Sequence, residues 1–117
     1  MLILYQSKDD FASRDDPARA PAYWAGWKAY IEALYASGTV KSGHGLQPPA
    51  TGTTVRLSDG KRRVQDGPFA DTKEQLGGYF VIDVPDLDTA IAWAARSPSA
   101  PSAGVEVRPV LMMKPAA

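Results

Sequence analysis

Residues 64–84 read Val64-Gln65-Asp66-Gly67-Pro68-Phe69-Ala70-Asp71-Thr72-Lys73-Glu74-Gln75-Leu76-Gly77-Gly78-Tyr79-Phe80-Val81-Ile82-Asp83-Val84. A turn, a polar run, a glycine pair and an apolar strand follow one another in an order that no simple amphipathic pattern requires. Asp66 is suited to fold its carboxylate back onto nearby backbone N–H groups. Gly67 permits positive φ and Pro68 fixes φ near about −65°. The polar run from Asp71 to Gln75 then leads into an apolar strand predicted over Gly78–Val84, so it lies between two buried strands, where a site can form.

Working outward from this stretch gives the rest of the chain. Thr53–Leu57 and Arg62–Gln65 flank Ser58-Asp59-Gly60-Lys61, and Asp59-Gly60 is a strong hairpin signal. Thr39–Leu46 reads as a strand with a glycine-rich end, stopped by Pro48-Pro49. Before it, Tyr23, Trp27, Tyr30, Ile31 and Leu34 follow the i, i+4, i+7, i+8, i+11 spacing of a helix face, and Gly38 supplies the C-terminal stop. Leu2–Tyr5 is a buried-type strand, and the polar stretch Ser7–Ala20 reads as a loop entering the helix. Downstream, Pro85-Asp86-Leu87-Asp88 opens a second helix with Asp86 as N-cap. Its expected packed stripe is Ile91, Ala94 and Ala95, with Leu87 and Trp93 near the margins and Ser97-Pro98 as the end. Gly104–Met113 is expected to form one long final strand.

Without the extra hairpin strand, this order is βαββαβ, an α+β ferredoxin-like arrangement. Two helices cover one face of the sheet. The final strand carries Val105, Val107 and Leu111 on one side and Val110 and Met112 on the other. A strand apolar on both sides is usually buried on both, and no third helix is left to cover the second face. The sequence therefore predicts a face-to-face homodimer, a dimeric α+β barrel.

Composition narrows the function. One domain over residues 1–117 is expected from the length. Lys plus Arg and Asp plus Glu number 13 each, for a formal net charge of zero, which argues against a nucleic-acid groove or an anionic-membrane surface. There is no Cys, hence no disulfide and no thiolate, which fits a cytoplasmic setting. No run approaches the roughly 20 apolar residues of a membrane span, and Met1–Gln6 reads as a strand rather than a signal peptide. One His and no Cys cannot make a usual zinc site within a subunit. No phosphate-binding loop, dinucleotide fingerprint or Gly-x-Ser-x-Gly elbow occurs, so neither a metal nor a cofactor is expected.

Several pieces in series resemble one family. They are Gly45-Leu46-Gln47-Pro48, Asp66-Gly67-Pro68-Phe69, Thr72-Lys73-Glu74-Gln75-Leu76-Gly77-Gly78, Val81-Ile82-Asp83-Val84-Pro85, Ala92-Trp93-Ala94 and Val105-Glu106-Val107-Arg108-Pro109. From about residue 39 to 110 the chain is similar to the DGPF-domain branch of the YCII-related proteins. The resemblance implies a dimeric α+β barrel of ferredoxin-like subunits. It also implies a largely uncharacterised group, some of them encoded beside or fused to sigma factors. A few relatives in the wider superfamily are small-molecule enzymes, including a dehydrochlorinase acting on a chlorinated aromatic ring. Many YCII-type proteins carry a His early in the first helix, paired with an Asp; here Pro21-Ala22-Tyr23-Trp24-Ala25 has none. Position 44, often Glu in DGPF relatives, is His44. The dyad does not carry over.

Among residues suited to chemistry, His44 stands between Gly43 and Gly45, and imidazole is the side-chain type suited to proton transfer near neutral pH; its plain alternative is an exposed side chain at a strand end. Asp66 is the best carboxylate candidate, against a role confined to capping its turn. Lys73 and Glu74 are candidates to position a small polar ligand. Arg108 shares a strand face with Glu106, either as an ion pair or as part of a binding cluster. Trp24 and Tyr35 lie off the helix stripe and are candidates to line a pocket. Two readings follow. One is a non-catalytic small-molecule-binding or regulatory module, with a sigma factor or other transcription partner implied by the resemblance. The other is a cofactor-independent enzyme in which His44 and Asp66 exchange protons with a small polar or aromatic substrate, in a site between helices and sheet or near the dimer seam.

Overall fold

The computed structural model describes residues 1–113. In chain order the elements are β1 (Leu2–Ser7), α1 (Lys8–Ser13), α2 (Ala20–Ala36), β2 (Val40–Gly45), a single 3₁₀ turn (Pro49–Thr51), β3 (Thr53–Ser58), β4 (Lys61–Asp66), β5 (Glu74–Ile82), α3 (Leu87–Arg96), α4 (Ser99–Ser102) and β6 (Val105–Val107). Four strands form an antiparallel sheet in the order β2-β5-β1-β6. This α+β architecture is consistent with the ferredoxin-like arrangement.

The period-two alternation of β1 decides which face is covered. Leu2, Leu4 and Gln6 are buried, whereas Ile3, Tyr5 and Ser7 on the other face are half-buried. Leu2 lies opposite Phe80, and both pack with Leu4 against Trp27, Tyr30 and Leu34 of α2 and Ala94 of α3. The helix-period stripe of α2 is therefore the core side of the helix, except that Ile31 stays partly exposed. Tyr30 donates its hydroxyl to the Trp93 carbonyl at 2.9 Å, and burial pushes its pKa up to about 12.

Four expectations need correction. The stretch read as a loop contains α1, started by a reciprocal cap in which Asp10 N–H donates to Ser7 Oγ and Ser7 N–H donates to Asp10 Oδ2. The box carries Asp where Glu or Gln is usual, and Phe11 alone supplies its buried contact. The polar run from Asp71 to Gln75 does not lie between two buried strands: the strand before it, β4, is exposed throughout and forms with β3 a separate two-stranded sheet. The hairpin turn does follow the sequence, with Asp59 at φ 51° and Gly60 at φ 73° between the paired Ser58 and Lys61. The stripe of α3 is Ala90 and Ala94, with Trp93 packed alongside, while Ile91 and Ala95 are exposed; the Tyr30 bond to the Trp93 carbonyl ties α2 to α3.

The long final strand is the fourth. β6 covers only Val105–Val107, paired with Leu2–Leu4 of β1. Pro109 has no N–H to donate to a ladder, so pairing stops after Arg108 N–H meets the Met1 carbonyl at 3.0 Å. Val105 and Val107 face the helices, while Val110, Leu111 and Met112 lie beyond the strand and are exposed. The two-sided apolar strand that motivated the second copy is thus absent. A bare sheet face remains, with Ile3, Tyr5, Tyr79 and Val81 half-buried on it. The molecule is flat, 52 × 47 × 18 Å, with a radius of gyration of 16.5 Å, against about 13 Å for a compact domain of this length.

Candidate functional site

The most enclosed hollow among the described residues lies on the helix side of the sheet, under α2. A cavity of about 550 Å³ is walled by Trp24, Trp27 and Ile31 of α2 and by Leu4 and Phe80 of the sheet, with Arg14, Gln6 and Tyr23 at one end. This is the size and lining expected of a small-molecule site.

Its floor is glycine for steric reasons. Between Leu4 and Tyr5 the pairing of β1 with β5 slips, leaving Gly77 as an extra residue in β5, a bulge that bends the strand. A Cβ on Gly77 would come 2.8 Å from Gln6 Cγ, and one on Gly78 would come 2.8 Å from the His44 carbonyl oxygen. Gly45, which pairs with Gly78 across the strands, would meet nothing within 4 Å, so its missing side chain leaves open space.

The polar end is one connected network. Arg14 caps the C-terminus of α1. Its Nε donates to the Tyr23 hydroxyl at 3.1 Å, Nη2 to Gln6 Oε1 at 2.8 Å and Nη1 to the Leu46 carbonyl at 2.5 Å. Gln6 Nε2 donates to the same Tyr23 oxygen at 2.5 Å, and the Trp24 indole N–H returns to the Arg14 carbonyl at 3.1 Å. The guanidinium carbon stands 4.7 Å from the Phe11 ring centroid and 5.7 Å from that of Trp24, within cation–π range. The connector behind Arg14 is clamped. Arg19 reaches Asp9 at 2.6 Å and Asp16 at 3.1 Å, and the Asp16 carboxyl is held below the usual carboxylate range by the Ala18 N–H and then by Arg19.

The residues singled out from sequence do not converge on this cavity. His44 contributes to its lining, but its ring turns to the opposite, bare face, where Nδ1 lies 3.0 Å from the Tyr79 hydroxyl. Asp66 ends β4, opposite Thr53 in the separate hairpin sheet, and is exposed. Its turn is held instead by backbone and threonine: Gly67 N–H donates to the Gly52 carbonyl at 2.8 Å, and Thr54 Oγ1 to the Gly67 carbonyl at 2.9 Å. Gly67 sits at φ 99°, the conformation its lack of a side chain allows. Lys73 and Glu74 border a shallow hollow with Tyr5 and Thr72, and Glu74 is already the first residue of β5. Arg108 pairs with Glu106. Trp24 does line the cavity, as its position off the stripe allowed. Among the described residues, no three His, Cys, Asp or Glu side chains are grouped to hold a metal ion, and no helix is long and apolar enough to cross a membrane.

Gln6, Arg14 and Tyr23 were not among the sequence candidates. Gln6 carried a readable signal: it continues the buried positions Leu2 and Leu4 with a polar side chain, and a buried polar group requires partners. Arg14 carried none, because it sat in a stretch read as loop.

Two comparisons bear on this geometry. The family model of the YCII-related domain matches residues 1–114. An uncharacterized protein of Rhizobium meliloti (strain 1021) is 47% identical over 72 residues, which is 60% of this chain and 58% of that protein. The chain thus matches somewhat over half the length of that relative.

Proposed function

Because the chain belongs to the YCII-related family, and because its best-built feature is a cavity rather than a cluster of reacting groups, we propose that it is a homodimeric small-molecule-binding protein. Its ligand occupies the space between α2 and the glycine floor of β2 and β5. The observation that carries this reading is the coexistence, in one cavity, of an aromatic wall and a polar network around the buried Gln6. The test uses Gly45, whose Cβ would meet open space. Gly45→Leu is expected to fold normally by circular dichroism and to lose at least tenfold in affinity for whichever aromatic fragments bind the native protein in a ligand-observed NMR screen. Fragments that bind both proteins alike would remove the cavity from the argument.

The homodimer is supported by the half-buried apolar residues of the bare sheet face and by a formal net charge of zero, which offers no electrostatic resistance to association. It is supported again by the apolar face of the hairpin, where Val55, Leu57 and Val64 are 58, 78 and 60% exposed. A second copy, with the same two surfaces, gives both a cover. The regulatory role, with a sigma factor or other transcription partner, extends the reading on the resemblance alone. Proton transfer by His44 has one observation in its favour, the contact with Tyr79 on the bare face; in this reading such chemistry belongs to the proposed dimer seam. Loss of ligand-linked chemical-shift changes at Tyr79 in His44→Ala is the result expected of that arrangement.

A further inference from the structure

The N–H and O–H donors at the polar end of the cavity outnumber the acceptors that meet them. Arg14 has five N–H groups, three of which are committed, all to neutral oxygens: the Tyr23 hydroxyl, Gln6 Oε1 and the Leu46 carbonyl. Among the described residues no carboxylate pairs with it. Asp15, its neighbour, lines the same cavity but is exposed and makes no such contact. Tyr23 accepts from both Arg14 and Gln6, so both lone pairs of its hydroxyl are used and its own O–H points elsewhere, without an acceptor among the described residues. A half-buried cation with two N–H groups to spare, beside a hydroxyl with a proton to donate, is compensated by an anion with several acceptor oxygens. Guanidinium in particular suits the planar, two-oxygen geometry of a carboxylate.

The remaining walls state the rest of the ligand. Trp24, Trp27, Ile31, Leu4 and Phe80 offer apolar and aromatic surface, which fits a flat hydrocarbon body rather than a sugar or a polyol. We propose that the cavity takes a small aromatic or apolar carboxylate, its anionic group held by Arg14 and the Tyr23 hydroxyl and its body against the tryptophans. The proposal rests on the cavity being the ligand site, and it adds the chemical class.

The experiment is isothermal titration at pH 7 with 1-naphthoate and its neutral isostere 1-naphthamide, on the native protein, Arg14→Gln, Arg14→Lys, Tyr23→Phe and Gly45→Leu. The native protein is expected to bind naphthoate at least tenfold more tightly than naphthamide. Arg14→Gln abolishes that preference, Arg14→Lys keeps part of it, and Tyr23→Phe reduces it severalfold. Gly45→Leu weakens both probes. Equal binding of the two probes to the native protein, or a preference that survives Arg14→Gln, overturns the carboxylate and leaves the cavity standing. If naphthamide and naphthoate both fail to bind at millimolar concentration, the cavity reading falls together with the carboxylate. Circular dichroism on each variant separates lost binding from lost folding, and Arg14→Lys, which keeps the charge, provides the second variant should Arg14→Gln unfold.

Discussion

The main sheet and the hairpin arm are both antiparallel ladders, yet different forces hold them. In the main sheet the facing pair Leu2 and Phe80 is buried under α2, and apolar burial within the chain stabilises the pairing. In the arm the facing pair Val55 and Val64 is mostly exposed. Its register comes from the Asp59-Gly60 turn, and its base is tied down by the bonds of Gly67 to Gly52 and of Thr54 to Gly67. A lone two-stranded hairpin is marginal in water. Alternation in a sequence thus announces a strand, but it does not say what the apolar side will be buried against.

The sharpest break in the comparison is at Leu34, which is 0% exposed in the core. Leu34→Ala is expected to lower unfolding free energy by about 2–5 kcal/mol, read from urea denaturation followed by tryptophan fluorescence. A loss below about 1 kcal/mol would mean that the helix-covered layer is packed no better than the arm. Next comes Gly43, opposite Phe80, where a new Cβ would lie 2.2 Å from the ring's Cδ1. Displacing that ring makes Gly43→Ala destabilising by about 1–3 kcal/mol. Gly45→Ala, two residues along the same strand face, meets no atom within 4 Å and is expected to stay within about 0.5 kcal/mol of native. Equal effects at the two glycines would contradict the packing.

Tyr30 tests the same layer by pH. Its pKa is raised to about 12 by burial, against about 10 unfolded. The folded state therefore holds this proton more tightly. The resulting stability is fully present below pH 10 and is lost as pH rises from about 10 to 12. Tyr30→Phe removes the hydroxyl's bond to the Trp93 carbonyl, at a cost of about 1 kcal/mol near neutral pH. It should also flatten the alkaline loss relative to native, a difference measured by urea midpoints from pH 7 to 11. Identical alkaline slopes would place the titration elsewhere.

These contrasts also mark what the sequence made legible. The α2 stripe, the hairpin turn and the glycine stop at Gly38, which sits at φ 75°, follow from local rules of periodicity and backbone freedom. The main sheet was recoverable because β1 and β5 carry their burial in their own alternation or apolarity. Val110, Leu111 and Met112 look like strand, but Pro109 precedes them and β6 ends at Val107. α1 was hidden by its brevity and by an Asp in its cap. The cavity was least legible, because its polar end joins Gln6, Arg14 and Tyr23 from three separate elements, and only the Gln6 position announced itself. His44 and Asp66 drew notice through their chemistry, which said nothing of which sheet or face would carry them.

The smallest effect on folding is expected on the arm, and it is the one that separates the arm from the body most cleanly. Leu57 and Val64 lie on the same face of the hairpin and are 78 and 60% exposed, so Leu57→Lys with Val64→Lys removes little packing within the chain. Their effect on the unfolding of an isolated subunit should stay within about 0.5 kcal/mol. If the arm's apolar face is covered by a second copy, the same two lysines place like charges in that seam, where desolvating them is costly. Light scattering on the native protein at micromolar concentration should then give twice 12.6 kDa, and the double variant 12.6 kDa. A double variant that keeps the doubled mass would confine the seam to the bare sheet face, around Ile3, Tyr5, Tyr79 and Val81. A native protein of 12.6 kDa would remove the second copy altogether, and the arm's exposed valines and leucine would then need a different partner.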